Sequence, residues 1–230
     1  MATENQKIQF EKRLREYRKK YLTKKQNLKL DESATRLMVN YFLTEVLGYV
    51  ELEDIKTEYN IKGEYADYVI QISRKKHFVI EVKSIQIDLN DKHLRQSLSY
   101  SANEGIDWIL LFNGKQVQLY RVIFAKPIKV HLIFDFDLTN LSTMKKASEN
   151  LIYLCKFSIQ KKELESYWKK FDALSAQNLI KQVYTKEVVN AIRRKLKKTS
   201  NIYFNDEEIT DALEVLIANE NKHQKPKFLK

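Results

Sequence analysis

The chain has 230 residues, with 41 Lys plus Arg against 30 Asp plus Glu, 43% apolar residues and a single cysteine. Eleven Phe and thirteen Tyr supply enough apolar surface for a packed core, which excludes a chain disordered throughout. One cysteine, Cys155, excludes an internal disulfide framework and points to a reducing compartment.

No run of the sequence approaches a membrane-spanning length, and MATENQKIQFEKR lacks the apolar stretch of a signal peptide, so a cytoplasmic protein without a membrane partner is expected. A net charge of +11 favours a polyanionic partner, although a solvated excess of Lys gives the same total.

Residues 5 to 28 place Ile8, Phe10, Leu14, Tyr17, Tyr21 and Leu28 on one side of a helix, and residues 1–30 carry ten Lys or Arg against three Glu, a basic helical arm. A second helix is expected over 32–47, with Asp31 as N-cap and Gly48 beyond its end. Short apolar runs at 54–61, 68–73 and 77–83 read as strands, the last two forming an antiparallel hairpin across Arg74-Lys75-Lys76. A helix over about 91–104 ends at Gly105, the run DWILLF at 107–112 reads as a buried strand, and Asn113-Gly114 turns the chain into KQVQLYRVIF and a further strand near 128–136. This order describes an α/β domain with a mixed sheet over 31–142. From 143 to 230 the period is helical throughout, and Asn205 before three acidic residues marks a helix start.

In HFVIEVK the side chains alternate, so His77, Val79, Glu81 and Lys83 share one face while Phe78, Ile80 and Val82 share the other. If the hairpin pivots near Lys75, Asp67 lies opposite Lys83 and diagonal to Glu81, at roughly 5 to 8 Å between side-chain origins. Two carboxylates so placed can share one hard cation, and Mg²⁺, which takes oxygen ligands and keeps several waters, suits a carboxylate pair plus a main-chain carbonyl. For an isolated E-x-K in a strand, an exposed cross-strand ion pair is the ordinary explanation. The four histidines show no metal-ligand spacing.

A helix carrying Glu, a strand, A-D at 66 and 67, E-V-K at 81 to 83 and Q-x-x-x-Y at Gln96 and Tyr100 together resemble the PD-(D/E)XK nuclease superfamily. More closely, DESATRLMVNYFLTEVLGY followed by ADYVI, FVIEVKS, LRQSLSY and WILLFNGKQVQLYR resembles the N-terminal nuclease domain of type I restriction enzyme R subunits and its stand-alone relatives, over roughly residues 31–124. The resemblance implies a restriction-endonuclease-like mixed sheet flanked by helices, here with an all-helical C-terminal extension. It implies that Asp67, Glu81 and the Val82 carbonyl bind Mg²⁺, with Mn²⁺ as a substitute, that Lys83 is the catalytic lysine, and that Glu32, four residues before Arg36, supports the site from its helix. Glu45 is the competing helix carboxylate. The Pro expected before the metal Asp is Ala66.

By the same resemblance Gln96 and Tyr100, one turn apart on a helix, orient a substrate phosphate or a water; a solvated helix face accounts for them otherwise. Arg193, Arg194 and Lys195, within the basic run Lys186–Lys198, would grip phosphates, with a solvated face again the alternative. With glycine only at 48, 63, 105 and 114, no G-x-x-x-x-G-K-[ST] loop is present, so any translocation must come from another chain. The leading expectation is a Mg²⁺-dependent nuclease acting on DNA in restriction or defence, with other restriction subunits as further partners. A nuclease-like module that holds DNA but cuts little, or an adaptor acting through its helices, are the alternatives.

Overall fold

The computed structural model describes residues 2–61 and 64–218. Contacts divide them into a first unit ending at Tyr167 and a second beginning at Trp168. The helical residues from 143 to 167, expected with the C-terminal region, lie in the first unit, as does the basic arm.

The first unit carries strands β1 (Ile55–Ile61), β2 (Glu64–Ile72), β3 (Lys75–Val82), β4 (Trp108–Phe112), β5 (Gln116–Ile123) and β6 (Lys129–Asp137), in spatial order one to six. Only β3 and β4 run parallel, because α3 (Arg95–Glu104) carries the chain back between them; the other neighbours are antiparallel. The result is the expected α/β fold with a mixed sheet.

Helix α1 (Glu4–Tyr17) and helix α2 (Glu32–Tyr41) bring an aromatic cluster to the sheet. Phe42, just past α2, packs its ring 4.8 Å from Phe112 of β4 and 5.0 Å from Tyr17, and all three are fully buried. Tyr17 also donates its hydroxyl to the Gly114 carbonyl at 2.6 Å, so α1 is bolted to the turn after β4. At that turn Gly114 has φ +83, and a Cβ there would lie 3.1 Å from Met38, two independent reasons for glycine. The expected single helix over 5–28 is interrupted: α1 ends at Tyr17, a π-type turn spans Arg18–Leu22, and a 3₁₀ turn spans Lys25–Lys29. Asp31 caps α2 as expected, accepting from the Ala34 amide at 2.8 Å.

Helix α3 covers the Val69 and Val79 side of the sheet. Tyr100 is fully buried with Ala66, Val69, Val79 and Ile106, while Leu94 joins Ile109, Leu111 and Tyr120 with Leu98 packed against them.

The hairpin differs from the expected one. It turns tightly at Ser73 and Arg74, whose φ of 49° and 66° give the two left-handed positions that match strand twist in a two-residue turn. A bulge then shifts the register between Ile70 and Gln71, so that Ile70 faces Phe78 and Tyr68 faces Ile80. One further step puts Asp67 opposite Glu81, not opposite Lys83.

After helices α4 (Met144–Leu151) and α5 (Lys156–Gln160), helix α6 (Glu163–Ala173) runs across the division between the units. The second unit continues with α7 (Ala176–Val183), α8 (Lys186–Ser200) and α9 (Asp206–Ala218). Asn205 and Glu208 cap α9 reciprocally, each side chain accepting the other's amide at 2.9 and 2.8 Å. No described helix is long and apolar enough to cross a membrane.

Candidate active site

The site forms where β2 and β3 leave their ladder. The Val82 amide, which would continue the pairing with β2, donates instead to Asp67 Oδ2 at 2.7 Å. In extended backbone the carbonyl of a residue faces the same side as its amide, so the Val82 carbonyl is on the Asp67 side too. The other Asp67 oxygen accepts from Arg36 Nη2 of α2 at 2.5 Å. The same guanidinium nitrogen lies 3.4 Å from Glu32 Oε1, one turn earlier on that helix. Arg36 therefore links Glu32 to Asp67. Burial lowers the affinity of Arg36 for its proton, but the two carboxylates more than offset this and hold its pKa above the ordinary value.

Glu81 is 3% exposed and takes two donors of different character. Lys83 Nζ reaches Oε1 at 2.5 Å, and Ser97 of α3 donates to Oε2 at 3.0 Å. Burial raises the Glu81 pKa, the hydrogen bond from Lys83 lowers it, Asp67 raises it again, and the balance is upward. The folded carboxyl thus binds its proton at pH values where the unfolded one, near 4.5, has released it. The stability tied to this group is fully present below that unfolded value and is lost as pH rises through the folded value. Glu81→Gln abolishes this loss, so its melting temperature relative to wild type should improve between pH 4 and pH 7. A constant difference over that range in thermal melts would contradict the assignment.

The structure brings Asp67, Glu81, Val82 and Lys83 together and ties Glu32 to them through Arg36. Glu45 is exposed, and among the described residues it makes no hydrogen bond or ion pair to this group. The expected helix pair is separated. Gln96 is exposed, but Tyr100 is sealed in the core, because α3 lies flat on the sheet and turns its hydroxyl-bearing side inward. The side chain of α3 that does reach the site is Ser97. A small hydroxyl on the buried stripe with Leu94 and Ser101 was the available signal. Arg193 is also diverted: it pairs with Asp206 and bonds Asn190 at 2.8 Å, tying α8 to α9. Arg194 and Lys195 remain exposed on α8.

Among the described residues no group of three or more His, Cys, Asp or Glu side chains is placed to hold a metal. A cation here would use two carboxylates, the Val82 carbonyl and water, a hard oxygen set with open positions of the kind Mg²⁺ accepts. The residues present fit that ion chemically. Each carboxylate oxygen already has one donor but retains a second lone pair.

Residues 31–132 match the family model described as type I restriction enzyme R protein N terminus (HSDR_N). The resemblance to that N-terminal segment is thereby shown over a stretch containing every element of the site. No curated protein matches. A solved structure described as "cryoEM structure DrdV-DNA complex" is similar at 15% identity and a TM-score of 0.37, over 62% of this chain and 14% of that one. So loose a likeness carries no weight for this chain, which spans only a small part of that protein's length.

Proposed function

Starting from the match of residues 31–132 to the type I restriction enzyme R protein N terminus, we propose that this chain is a divalent-metal-dependent nuclease of the PD-(D/E)XK kind that hydrolyses DNA phosphodiester bonds in a restriction or defence setting. The observation that carries the reading is the pairing of Asp67 and Glu81 across adjacent strands, with Lys83 on Glu81 and the Val82 backbone turned to Asp67. Asp67, Glu81 and the Val82 carbonyl would hold the metal. When bound, Mg²⁺ polarises a phosphoryl oxygen and makes its water a stronger nucleophile at neutral pH.

The chain's own groups do the rest. Arg36 and the Val82 amide fix both Asp67 oxygens, and Ser97 fixes Glu81, so the carboxylates need no reorganisation before reaction. Lys83 places a positive charge where negative charge grows on the reacting phosphate. Glu32 keeps Arg36 in place. Gln96, exposed on α3, and Arg194 and Lys195 on α8 are proposed as substrate contacts; Tyr100 and Arg193 are not.

The second reading, a DNA-holding module that cuts little, draws on the donors already present on all four carboxylate oxygens. Incubating supercoiled plasmid with the purified chain, with and without Mg²⁺ or Mn²⁺, separates the two. Nicked or linear product only with metal supports the nuclease. Retarded but intact plasmid supports the module, and neither effect overturns both.

A further inference from the structure

Two basic segments flank the site, each fastened to it by a hydrogen bond. On one side, the turn Lys25–Lys29 and Leu30 run beside the end of β3: Ser84, next to Lys83, donates to the Leu30 carbonyl at 2.9 Å, and Gln86 donates to the Lys29 carbonyl at 2.8 Å. On the other, a 3₁₀ turn over Asp91–Leu94 carries Lys92 and His93 and leads into α3, which opens with Arg95. Ser97, four residues after His93 and hence about one turn along, is the residue bonded to Glu81.

The charges on these flanks do not cancel. Lys25, Lys29, Lys92 and Arg95 are exposed and enter no ion pair among the described residues. The acids beside them keep their charge but are outnumbered, Asp88 being offset by Lys115. Asp31 caps α2, Asp91 accepts the Tyr120 hydroxyl at 3.0 Å, and Asp88 faces Lys115 at 3.4 Å. A polyanion approaching Glu81 and Lys83 therefore meets a net positive charge on each segment, Lys25 and Lys29 against Asp31 and Lys92 and Arg95 against Asp91.

We propose that the DNA strand crosses the site between these segments, its phosphates gripped by Lys25 and Lys29 on one flank and by Lys92 and Arg95 on the other, with His93 as a hydrogen-bond donor beside Lys92. This rests on the nuclease reading and names where that site takes its substrate. One strand of a duplex presents a phosphate about every 3.4 Å along the axis, so cations on segments hydrogen-bonded to the end of β3 and to Glu81 can meet phosphates near the one attacked. His93 accepts the Asn90 amide on Nδ1 at 3.2 Å, which leaves its proton on Nε2. Burial and the charge of nearby Lys83 both lower its pKa.

The test measures binding of a fluorescein-labelled 30-base-pair duplex by the full chain in EDTA, across a salt series. Lys25→Gln with Lys29→Gln, and Lys92→Gln with Arg95→Gln, should each weaken binding roughly tenfold near 0.1 M salt. Each pair should also reduce the log–log salt slope by about 2, since every phosphate left without its cation changes that slope by about 0.9. Lys145→Gln with Lys146→Gln, the same charge change on exposed positions of α4, should change neither. Unaltered affinity and slope in both flank variants, with wild type still cutting plasmid, overturn the clamp and leave the nuclease standing. The expected losses with a wild type that never cuts keep the clamp and remove the nuclease. A control that weakens as much as the flank variants, or a wild type that binds no duplex, overturns the clamp.

Discussion

Asp67→Asn, Glu81→Gln and Lys83→Met should each reduce metal-dependent plasmid cleavage by at least about 10²-fold, the scale on which removal of one preorganised charge at a reacting centre lowers a rate. The substitutions are chosen to keep shape. Asparagine at 67 can still accept the Val82 amide, and glutamine at 81 can still accept from Ser97. Methionine at 83 fills the volume of the lysine stem and leaves Glu81 bonded to Ser97. Folding should therefore survive in all three, as circular dichroism melts will show. Wild-type rates in any two of the variants would reject the assignment of the site, however well they fold.

Phe112→Ala carries the largest expected loss of stability, about 3 to 5 kcal/mol, because it empties a fully buried ring site. Its ring lies 4.8 Å from Phe42 and 6.5 Å from Tyr17, so edge and face contacts among three aromatic side chains go with it. Against a typical total of about 5 to 15 kcal/mol, this is about a fifth or more of what keeps the chain folded. Urea denaturation should show a lower midpoint with an unchanged slope. Leu37→Ala, at a site 69% exposed, should change stability in the same assay by no more than about 0.5 kcal/mol. A Phe112→Ala loss below about 1 kcal/mol would mean that this cluster does not hold the sheet to α1 and α2.

Much of this is legible in short stretches of sequence. Asp31 and Gly105 mark helix ends because a short acceptor and a left-handed glycine are read within one turn of chain. Alternation in HFVIEVK separates Glu81 from Ile80 for the same local reason. The hairpin register is not legible, since Ser73 and Arg74 adopt left-handed conformations that neither residue type advertises, and the bulge beyond them depends on the packed sheet. Ser97, Tyr100 and Arg193 show the same limit at the level of side chains. Which face of α3 lies down, and whether a guanidinium meets DNA or Asp206, is decided by contacts far away in sequence. The passage from α1 into a π-type turn after Tyr17 belongs with these, since no residue type there marks it.

The hydrogen bond from Tyr17 to Gly114 separates two ideas of a boundary. The family match begins at residue 31, yet Phe10, Leu14 and Tyr17 of α1 have no exposed surface at all. The stretch that the family model matches is thus smaller than the stretch that packs into one unit. Side chains outside the family's signature complete the packing around the residues that the signature covers. In this chain residues 2–30 serve as wall on their apolar side, while Lys25 and Lys29 stay exposed and enter no ion pair among the described residues.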